Sequence, residues 1–222
     1  MSTWIDQAIH FIDFEGNRSS GILEFGIATV LGGKITDART RLCSATGRIH
    51  SDETEVHGLS AADVAGSPPF SEEWNTFIAL RNSGPLAAHY AGTENGLLKA
   101  VWPYPRHSPD FTKPGGQSAD WGPWIDTASI YAQLYPALDC GKLETLIERC
   151  GLQAELDALA ASYCPPQRRR YHAALYDALA GALLLAALAR HASIAELTLL
   201  QLFSLSTRSG DKRDNLQQQS LF

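Results

Sequence analysis

Three apolar segments near the start of the sequence are separated by short turns. They are QAIHFIDFE (residues 7–15), ILEFGIATV (22–30) and KITDARTRLCS (34–44), and Gly32 and Gly33 separate the last two. Short runs rich in β-branched and aromatic residues and bounded by turn residues are typical of β-strands. We therefore predict a three-strand meander at the start of the fold.

Most of the remaining chain up to residue 206 has helical periodicity. In PPFSEEWNTFIALRNSG (68–84), apolar residues recur at helical spacing and Gly84 closes the pattern. Short strands are predicted at PLAAH (85–89) and at the start of WGPWIDTASIYAQLYP (121–136), which continues into a helix. The other predicted helical segments are TENGLLKAVW (93–102), KLETLIERCG (142–151), LQAELDALAASY (152–163), HAALYDALAGALLLAALARH (172–191) and SIAELTLLQLFSLS (193–206). This order predicts an α/β fold with a mixed central sheet flanked by helices.

Two segments lack this periodicity. Residues 102–124 are rich in Pro, Gly and Trp, and a loop of this length is usually functional or mobile. Residues 207–222 contain too few apolar side chains to fold alone. We therefore predict one domain over residues 1–206, followed by a disordered tail over 207–222.

Composition narrows the classes of function. The chain has 222 residues, with 24 acidic and 18 basic side chains and a net charge of −6. This balance argues against a protein that coats DNA generally and leaves nucleic-acid binding to a local patch. The four cysteines form no Cys-x-x-Cys pair, which favours reduced thiols and a cytoplasmic location. No secretory signal is apparent, and the apolar run at 178–189 is shorter than a membrane span, so no membrane contact is expected.

The first predicted strand ends with two carboxylates, Asp13 and Glu15, two positions apart. Side chains alternate between the faces of a strand, so both carboxylates point to the same face. Neighbouring like charges raise each other's pKa unless a cation or water separates them, and a divalent metal ion is the simplest such partner. The alternative is that the pair only begins a solvated turn.

Two further acids fall on apolar faces of predicted helices, Glu94 with Leu97 and Asp177 with Gly181. A buried carboxylate is costly without a partner. Glu94 could instead only favour the dipole at the start of its helix. His172 lies five residues before Asp177, about 140° around an ideal helix, so it would have to lie in the loop or first turn to reach the same site. There it suits a mobile general base, or it is simply a surface residue.

These residues and four short motifs resemble the DnaQ-like 3′→5′ exonucleases of the DEDDh type, the family of polymerase proofreading subunits. EVHGLSAADVAGSPPF (55–70) is similar to the family's His-Gly-Leu/Ile segment with its later Gly-x-Pro-x-Phe. LAAHYAGTE (86–94) resembles the second motif, Val-x-His-Asn-x-x-Phe-Asp. IDTASIYAQLYP (125–136) and KLETL (142–146) look like the Asp-Thr-Leu and Lys-Leu-x-x-Leu helices. The resemblance covers about residues 8–190 and implies an RNase H-like exonuclease fold.

The resemblance also implies a site for phosphodiester hydrolysis that uses two Mg²⁺ or Mn²⁺ ions. The four acids Asp13, Glu15, Glu94 and Asp177 would hold the metals, and His172 would take the proton from the attacking water. The positions that match the family's pocket for the terminal nucleotide are Phe14, Gly16, His57, Gly58 and Leu59. Further candidates for substrate binding are His89, Arg168, Arg169 and Arg170. The three arginines would meet the phosphate backbone, or they form a solvated loop.

One motif departs from the family pattern. Glu94 stands where the family has the second-motif aspartate, and His89-Tyr90 stands where it has His-Asn. Glutamate keeps the charge but reaches one methylene farther, which affects where a metal ion would lie and how fast the reaction runs.

The tail carries a second resemblance. QQSLF (218–222) is similar to the Gln-x-Ser/Asp-Leu-Phe peptide by which bacterial polymerases and repair enzymes bind the sliding clamp. Leu221 and Phe222 would fill an apolar pocket while Gln218 supplies directional hydrogen bonds. The similar QLFSL at 201–205 lies in an apolar helix and is interpreted as core.

The sequence therefore predicts a metal-dependent 3′→5′ exonuclease that acts on single-stranded DNA ends and is recruited to the sliding clamp. One alternative is an RNA-trimming enzyme of the same fold. Another is a clamp-bound adaptor with weak activity because of Glu94. The complete set of acids with His172 argues against the adaptor.

Overall fold

The computed structural model describes residues 3–138 and 141–207. Within these ranges the strands are β1 (Ile9–Asn17), β2 (Gly21–Leu31), β3 (Lys34–Leu42), β4 (Leu86–Ala88), β5 (Ser108–Pro109), β6 (Gln117–Ser118) and β7 (Ile125–Asp126). Five of them form the central sheet in the order β3-β2-β1-β4-β7, and β5 pairs with β6.

The central sheet is mixed, as predicted. Strand β2 is antiparallel to both β1 and β3, which confirms the three-strand meander. The turn between β2 and β3 uses Gly32 and Gly33 at φ 61° and 70°, a backbone region that glycine occupies without strain. Strand β4 runs parallel to β1, and β7 runs parallel to β4. Both parallel strands are followed directly by helices, which bring further side chains to the ends of the strands.

The α-helices in the described ranges surround this sheet. They are α1 (Ser51–His57), α2 (Ala61–Val64), α3 (Trp74–Ser83), α4 (Ala91–Val101), α5 (Thr127–Leu134), α6 (Leu143–Arg149), α7 (Gln153–Tyr163), α8 (Ala174–Leu188), α9 (Ala192–Ala195) and α10 (Leu199–Leu205). Among the residues that the structure describes, no helix is both long and apolar enough to span a membrane.

Two helical regions differ from the sequence prediction. Helices α1 and α2 were not predicted, and the segment 193–206 forms two helices, α9 and α10, rather than one. Thr198 begins the second of these, because its hydroxyl accepts from the N–H of Gln201 at 3.3 Å. The Gln201 side chain in turn accepts from the N–H of Thr198 at 2.8 Å. This reciprocal cap stops the preceding helix and starts a new one.

Helix α8 lies across the meander and is buried along nearly its whole length. Gly26 of β2 lets the first turn of α8 approach the sheet, since a Cβ at this position would collide with the carbonyl of Ala174. Gly181 does the same farther along, where a Cβ would collide with the ring of Phe11. The close packing fixes the start of α8, which carries Asp177, against strands β1 and β2.

The Pro/Gly/Trp-rich segment at 102–124 is held against the fold by side chains. The buried Arg81 guanidinium donates to the carbonyls of Pro109 at 2.7 Å and Gly122 at 2.9 Å. Trp121 is fully buried, and its indole N–H donates to the carbonyl of Trp102 at 2.8 Å. With the β5–β6 pair, these bonds give a long loop a defined position beside α3.

Candidate active site

Acidic side chains from β1 and α8 converge on one cavity of about 400 Å³. Its wall includes Asp13, Glu15 and Asp177, together with His172. Electrostatic interactions with Asp13 and Asp177 place Glu94 of α4 in the same group of charges. The remaining lining residues are Phe14, His89, Tyr90, Gly141, Lys142, Leu143, Glu144 and Tyr171.

The end of β1 presents its carboxylates through strand alternation and a local irregularity. Asp13 pairs with Gly26 and Glu15 pairs with Glu24 on the neighbouring strand, and the register shifts immediately after Glu15. The next residue, Gly16, has φ 114° and lies so close to the β2 backbone that a Cβ would collide with it. A bulge of this kind re-aims side chains at the end of a strand. Asp13 is half-buried and Glu15 is buried.

Glu94 occupies the buried face of α4, in the first turn of the helix. It shares this face with Leu97 and Leu98, as the spacing predicted. Burial is the main cause that raises the pKa of Glu94 to about 8. A hydrogen bond from the backbone of Phe14 acts in the opposite direction and lowers this pKa. Its Oε2 atom is buried and has no hydrogen-bond partner among the described residues.

His172 and Asp177 are linked through the backbone. His172 lies just before α8 with φ 60°, and its N–H donates to Asp177 Oδ2 at 3.0 Å. The imidazole is exposed, whereas Asp177 Oδ1 is buried with no partner among the described residues. His172 is therefore outside the helix, which allows its side chain and that of Asp177 to face the same cavity.

Backbone strain is concentrated at this cavity. In residues 3–138 and 141–207, Tyr90 at φ 66° and His172 at φ 60° are the non-glycine residues with positive φ. Both line the cavity of the acids. Such conformations cost energy and persist where the surrounding structure enforces them, and they are enriched at functional sites.

The acids raise one another's pKa. Burial is the largest cause at each of them, and it raises the pKa of Glu15 to about 8 and that of Asp177 to about 7. The pKa of Asp13 lies well above its usual range because of burial and then the charges of Glu94, Asp177 and Glu15. The Arg168 guanidinium opposes the shifts at Glu15 and Asp177. Without a bound cation, the site therefore retains protons at neutral pH.

The donor set fits a divalent metal ion. One ligand atom each from Glu15, His172 and Asp177 lie within 4.8 Å of one another. The carboxylate oxygens of Glu94 and Asp177 that have no hydrogen-bond partner within residues 3–138 and 141–207 offer further hard donors. Oxygen-rich sites of this kind suit Mg²⁺ and Mn²⁺. A cation would also offset the mutual repulsion of the acids.

The His-Gly-Leu segment forms the C-terminal end of α1. His57 is buried, and its Nδ1 accepts from the N–H of Leu59 at 3.0 Å, which leaves Nε2 without a partner among the described residues. Gly58 has φ 73° and ends the helix, and Leu59 packs with Leu23 and Val64. Gly58 and Leu59 line a second cavity, of about 450 Å³, rather than the cavity of the acids.

The other predicted substrate-binding residues lie closer to the acids. Phe14 lines the acid cavity but also packs against Phe70 and Phe77 at ring-centroid distances of 5.3 and 5.8 Å. His89 lines the same cavity, and its Nδ1 lies 3.0 Å from Thr127 Oγ1. Both residues therefore lie at the cavity of the acids.

The three arginines all bond within the chain. Arg169 donates to the carbonyls of Cys164 at 3.1 Å and Ala161 at 2.9 Å. Arg170 donates to the carbonyl of His57 at 3.1 Å. Arg168 and Arg170 also line the second cavity, so an anion could approach them from solvent.

Two acids have roles that the sequence did not reveal. Glu24 of β2 is buried and forms an ion pair with Arg168. Strand alternation alone gives no reason to single it out, because it lies between Leu23 and Phe25 in an apolar run. Asp126 begins α5, where it accepts from the N–H of Ser129 at 3.3 Å, and it does not line the acid cavity.

Neither a protein-family model nor a curated protein matches the sequence. Solved exonuclease structures, in contrast, are similar to the chain. Exonuclease X in complex with 5′-overhanging duplex DNA is 22% identical with a TM-score of 0.62, and the match covers 90% of this chain and 99% of that one. The nuclease domain of 3′hExo, a DEDDh family member bound to rAMP, is 13% identical with a TM-score of 0.60 over 86% of this chain and 96% of that one. E. coli Exonuclease I in complex with a dT13 oligonucleotide is 11% identical with a TM-score of 0.58, and the match covers 82% of this chain and 41% of that one.

The chain therefore has the RNase H-like fold of the DEDDh 3′-exonucleases. This confirms the fold that the order of the sequence motifs predicted. The same chain order also brings Asp13, Glu15, Glu94, His172 and Asp177 to one region of the molecule.

Proposed function

We propose that the protein is a metal-dependent 3′→5′ exonuclease. The observation that carries the proposal is the convergence of Asp13, Glu15, Asp177 and the exposed His172 on one cavity, with Glu94 electrostatically coupled to Asp13, in a fold of this class. The unpartnered carboxylate oxygens and the strained backbone at Tyr90 and His172 support it independently of any likeness to known proteins.

The metal-holding residues in this proposal are Asp13, Glu15, Glu94 and Asp177. Two Mg²⁺ or Mn²⁺ ions bound there would supply Lewis-acid stabilisation of the charge that develops on the phosphate oxygens. A carboxyl group binds a cation in its deprotonated form. Because the pKa values of Glu15, Glu94 and Asp177 are raised in the ion-free chain, these acids would release protons when the metal binds.

His172 is the general base of the proposal. Histidine side chains exchange protons near neutral pH, which suits the removal of a proton from water. The imidazole is exposed to the cavity, while the Asp177 carboxylate holds the main chain of the same residue. The proton acceptor can therefore reorient without moving the backbone that supports it.

The proposed substrate is a single-stranded DNA end. Phe14 and His89 line the cavity of the acids. In this proposal His57 supplies a further polar contact through its buried Nε2, which has no hydrogen-bond partner among the described residues. Arg168 and Arg170 at the second cavity would contact the phosphate backbone beyond the terminal nucleotide. The likeness to Exonuclease X, solved with duplex DNA, favours DNA.

RNA is the second candidate substrate. One of the similar structures, 3′hExo, was solved with rAMP, and another is a 3′-exonuclease that recognises a histone mRNA stem-loop.

We further propose recruitment to a bacterial sliding clamp through Gln218, Leu221 and Phe222. These residues lie outside the part of the chain that the structure describes. The proposal rests on the similarity of QQSLF to clamp-binding peptides.

A paired digestion tests the activity. Oligonucleotides of DNA and RNA with the same sequence, labelled at the 3′ end and separately at the 5′ end, are incubated with Mg²⁺, Mn²⁺ or EDTA. We expect mononucleotides from the 3′-labelled DNA, a ladder from the 5′-labelled DNA, and no product in EDTA. Faster digestion of RNA would select the second substrate, and hydrolysis that continues in EDTA would exclude a metal-dependent site. No product from either polymer would favour the adaptor alternative.

A further inference from the structure

Glu24 is a fifth acid beside the site, but its contacts do not suit a metal ligand. Its side chain is only 2% exposed, and it lies directly across from Glu15 in the β1–β2 register. Both of its carboxylate oxygens are engaged by hydrogen-bond donors of the chain. A buried charge of this kind is tolerated only when it is paired and fully hydrogen-bonded.

Arg168 provides most of these bonds. Its guanidinium meets the Glu24 carboxylate with two nitrogens, Nε to Oε1 at 3.2 Å and Nη2 to Oε2. Two further donors reach main-chain carbonyls, Nη1 to His57 at 2.6 Å and Nη2 to His172 at 3.1 Å. The planar fork of arginine allows this set of four bonds, whereas a lysine ammonium would have three donors at one point.

The pair holds the backbone at two points just after the Cα atom of His172. Arg168 binds the carbonyl of His172, and Glu24 Oε2 accepts from the N–H of Ala174 at 3.0 Å. His172 itself has a left-handed backbone conformation, which a residue with a Cβ does not adopt without support. The bonds therefore fix a strained segment whose side chain faces the acids.

We propose that Glu24 and Arg168 are positioning residues that aim His172 at the reacting water. This inference rests on the proposed function, because it assumes that His172 is the general base. It assigns Arg168 a task in catalysis that does not require contact with a nucleic-acid phosphate. A displacement of about 1 Å at a catalytic group can cost about 100-fold in rate, so a small backbone shift would suffice.

The first test compares kcat and KM of the wild type with Glu24→Gln and Arg168→Lys. Glu24→Gln keeps the shape of the side chain but loses the charge, and Arg168→Lys keeps the charge but loses the fork. We expect both to lower kcat at least about tenfold with KM changed less than about twofold. Glu155→Gln is the matched control, because Glu155 forms a similar two-nitrogen pair with Arg190 on the surface and should leave kcat unchanged.

A double-mutant cycle separates positioning from general destabilisation. If Glu24 acts through His172, adding Glu24→Gln to His172→Ala should lower kcat by less than about twofold, since the group being aimed is already gone. An equal loss in both backgrounds would overturn the inference. Full kcat in Arg168→Lys would also overturn the inference, because a positive charge without the planar guanidinium would then be sufficient.

Amide hydrogen exchange supplies a readout that does not depend on activity. Peptides covering residues 168–176 should exchange faster in Glu24→Gln and Arg168→Lys than in the wild type, and at wild-type rates in Glu155→Gln. Unchanged exchange in both variants would overturn the inference. If Glu24→Gln does not fold, the exchange and kcat of Arg168→Lys alone test the inference. An inactive wild type would overturn the proposed function, and the inference that depends on it. An active wild type with full kcat in both variants overturns the inference alone.

Discussion

At the scale of single residues, the acid cavity combines burial with like charge. Asp13, Glu15, Glu94 and Asp177 all have a raised pKa, and burial is the first cause at each. Such a group of like charges lowers the stability of the fold in the absence of a cation. The acids therefore serve a purpose other than stability. Metal binding provides that reason in the proposed function.

Replacing Asp13 should separate activity from stability. We expect Asp13→Asn to lower kcat by at least about 100-fold, because a proposed metal-holding carboxylate is lost. The same change should not lower Tm in EDTA at pH 8, because it removes a carboxyl group whose ionised form four neighbouring acids repel. Digestion assays and thermal melts measure the two effects, with the exposed Asp37→Asn as the control. Wild-type turnover in Asp13→Asn would contradict the proposed site.

The raised pKa values also predict how stability depends on pH. Above the ordinary carboxyl pKa, the folded chain binds more protons at these acids than the unfolded chain does, so its stability falls as pH rises. The fall extends from the ordinary carboxyl range up to about pH 8, because Glu15 and Glu94 titrate at about 8 and Asp177 at about 7 in the folded chain, and the part of it above pH 6.5 is the window for the test. Below pH 6.5, buried His10 acts in the opposite sense, since its pKa is lowered to about 4.

We therefore expect Tm in EDTA to fall between pH 6.5 and 8, and the rise in Tm on adding Mn²⁺ to be larger at pH 8 than at pH 6.5. Thermal melts with and without the metal across this window make the measurement. A metal-induced rise in Tm that is independent of pH would mean that these acids do not bind it.

Substitutions of Glu94 test whether the charge or the length of the side chain matters at this position of the second motif. Glu94→Gln should lose most of the activity, because it removes the charge from the buried face of α4. Glu94→Asp should retain a substantial part, because the charge stays and only one methylene is lost. Rates from single-turnover digestion decide between them. Full activity in Glu94→Gln would exclude this residue from the site.

Sequence reasoning found these residues where local pattern was sufficient. Strand alternation predicted that Asp13 and Glu15 share a face, and helical spacing predicted the burial of Glu94. The role of Glu24 was not predictable in this way, because its partner Arg168 is 144 positions away in the chain. A contact of that kind follows from the tertiary fold rather than from any local periodicity.

At the scale of elements, the position of α8 on the sheet determines where Asp177 and His172 lie. Gly26 should therefore matter more to activity than a strand glycine ordinarily does. We expect Gly26→Ala to lower kcat at least about tenfold and to lower Tm, because its Cβ would push the first turn of α8 away from β2. Enzyme kinetics and thermal melts on the same preparations provide the measurement.

Two other glycines serve as controls for that prediction. Gly181→Ala should lower Tm through its collision with Phe11 but lower kcat less than Gly26→Ala, since it lies one turn beyond Asp177. Gly96→Ala on α4 meets no atom within 4 Å and should raise stability by up to about 1 kcal/mol. A kcat in Gly26→Ala equal to that of Gly181→Ala would show that the first turn of α8 tolerates displacement.

Elements with a continuous apolar face were predicted, and elements without one were missed. Strands β1 and β2 and helix α8 have long runs of buried side chains, so their apolar pattern is visible in the sequence. Helix α1 buries only His57, and α2 buries only Val64. Their apolar periodicity is correspondingly absent, and capping and the surrounding tertiary contacts hold them in place.

At the scale of the whole molecule, the fold could be predicted because the motifs occur in a particular order. Each motif is short, and no protein-family model matches the chain, yet the solved exonucleases share the fold at 11–22% identity. The order brings residues from β1, α4 and the start of α8 together around one cavity. Loop 102–124 is not covered by any motif, and its position depends on Arg81 and Trp121, whose contacts are long-range.

The proposed recruitment to a clamp is separable from catalysis. The residues that line the acid cavity lie between Asp13 and Asp177, so changes at 217–222 remove none of them. We therefore expect Leu221→Ala combined with Phe222→Ala to leave digestion of short oligonucleotides unchanged. Deletion of residues 217–222 should give the same result.

Both variants should lose binding to a bacterial sliding clamp, because truncating a buried apolar contact commonly costs about 2 kcal/mol or more, which is about 30-fold in affinity. A short peptide has few other contacts to compensate for the loss. Surface plasmon resonance with the immobilised clamp measures the difference, and Gln201→Ala in the capped start of α10 is a control for the similar QLFSL segment. Equal clamp binding by the full-length chain and the deletion would show that QQSLF is a chance similarity.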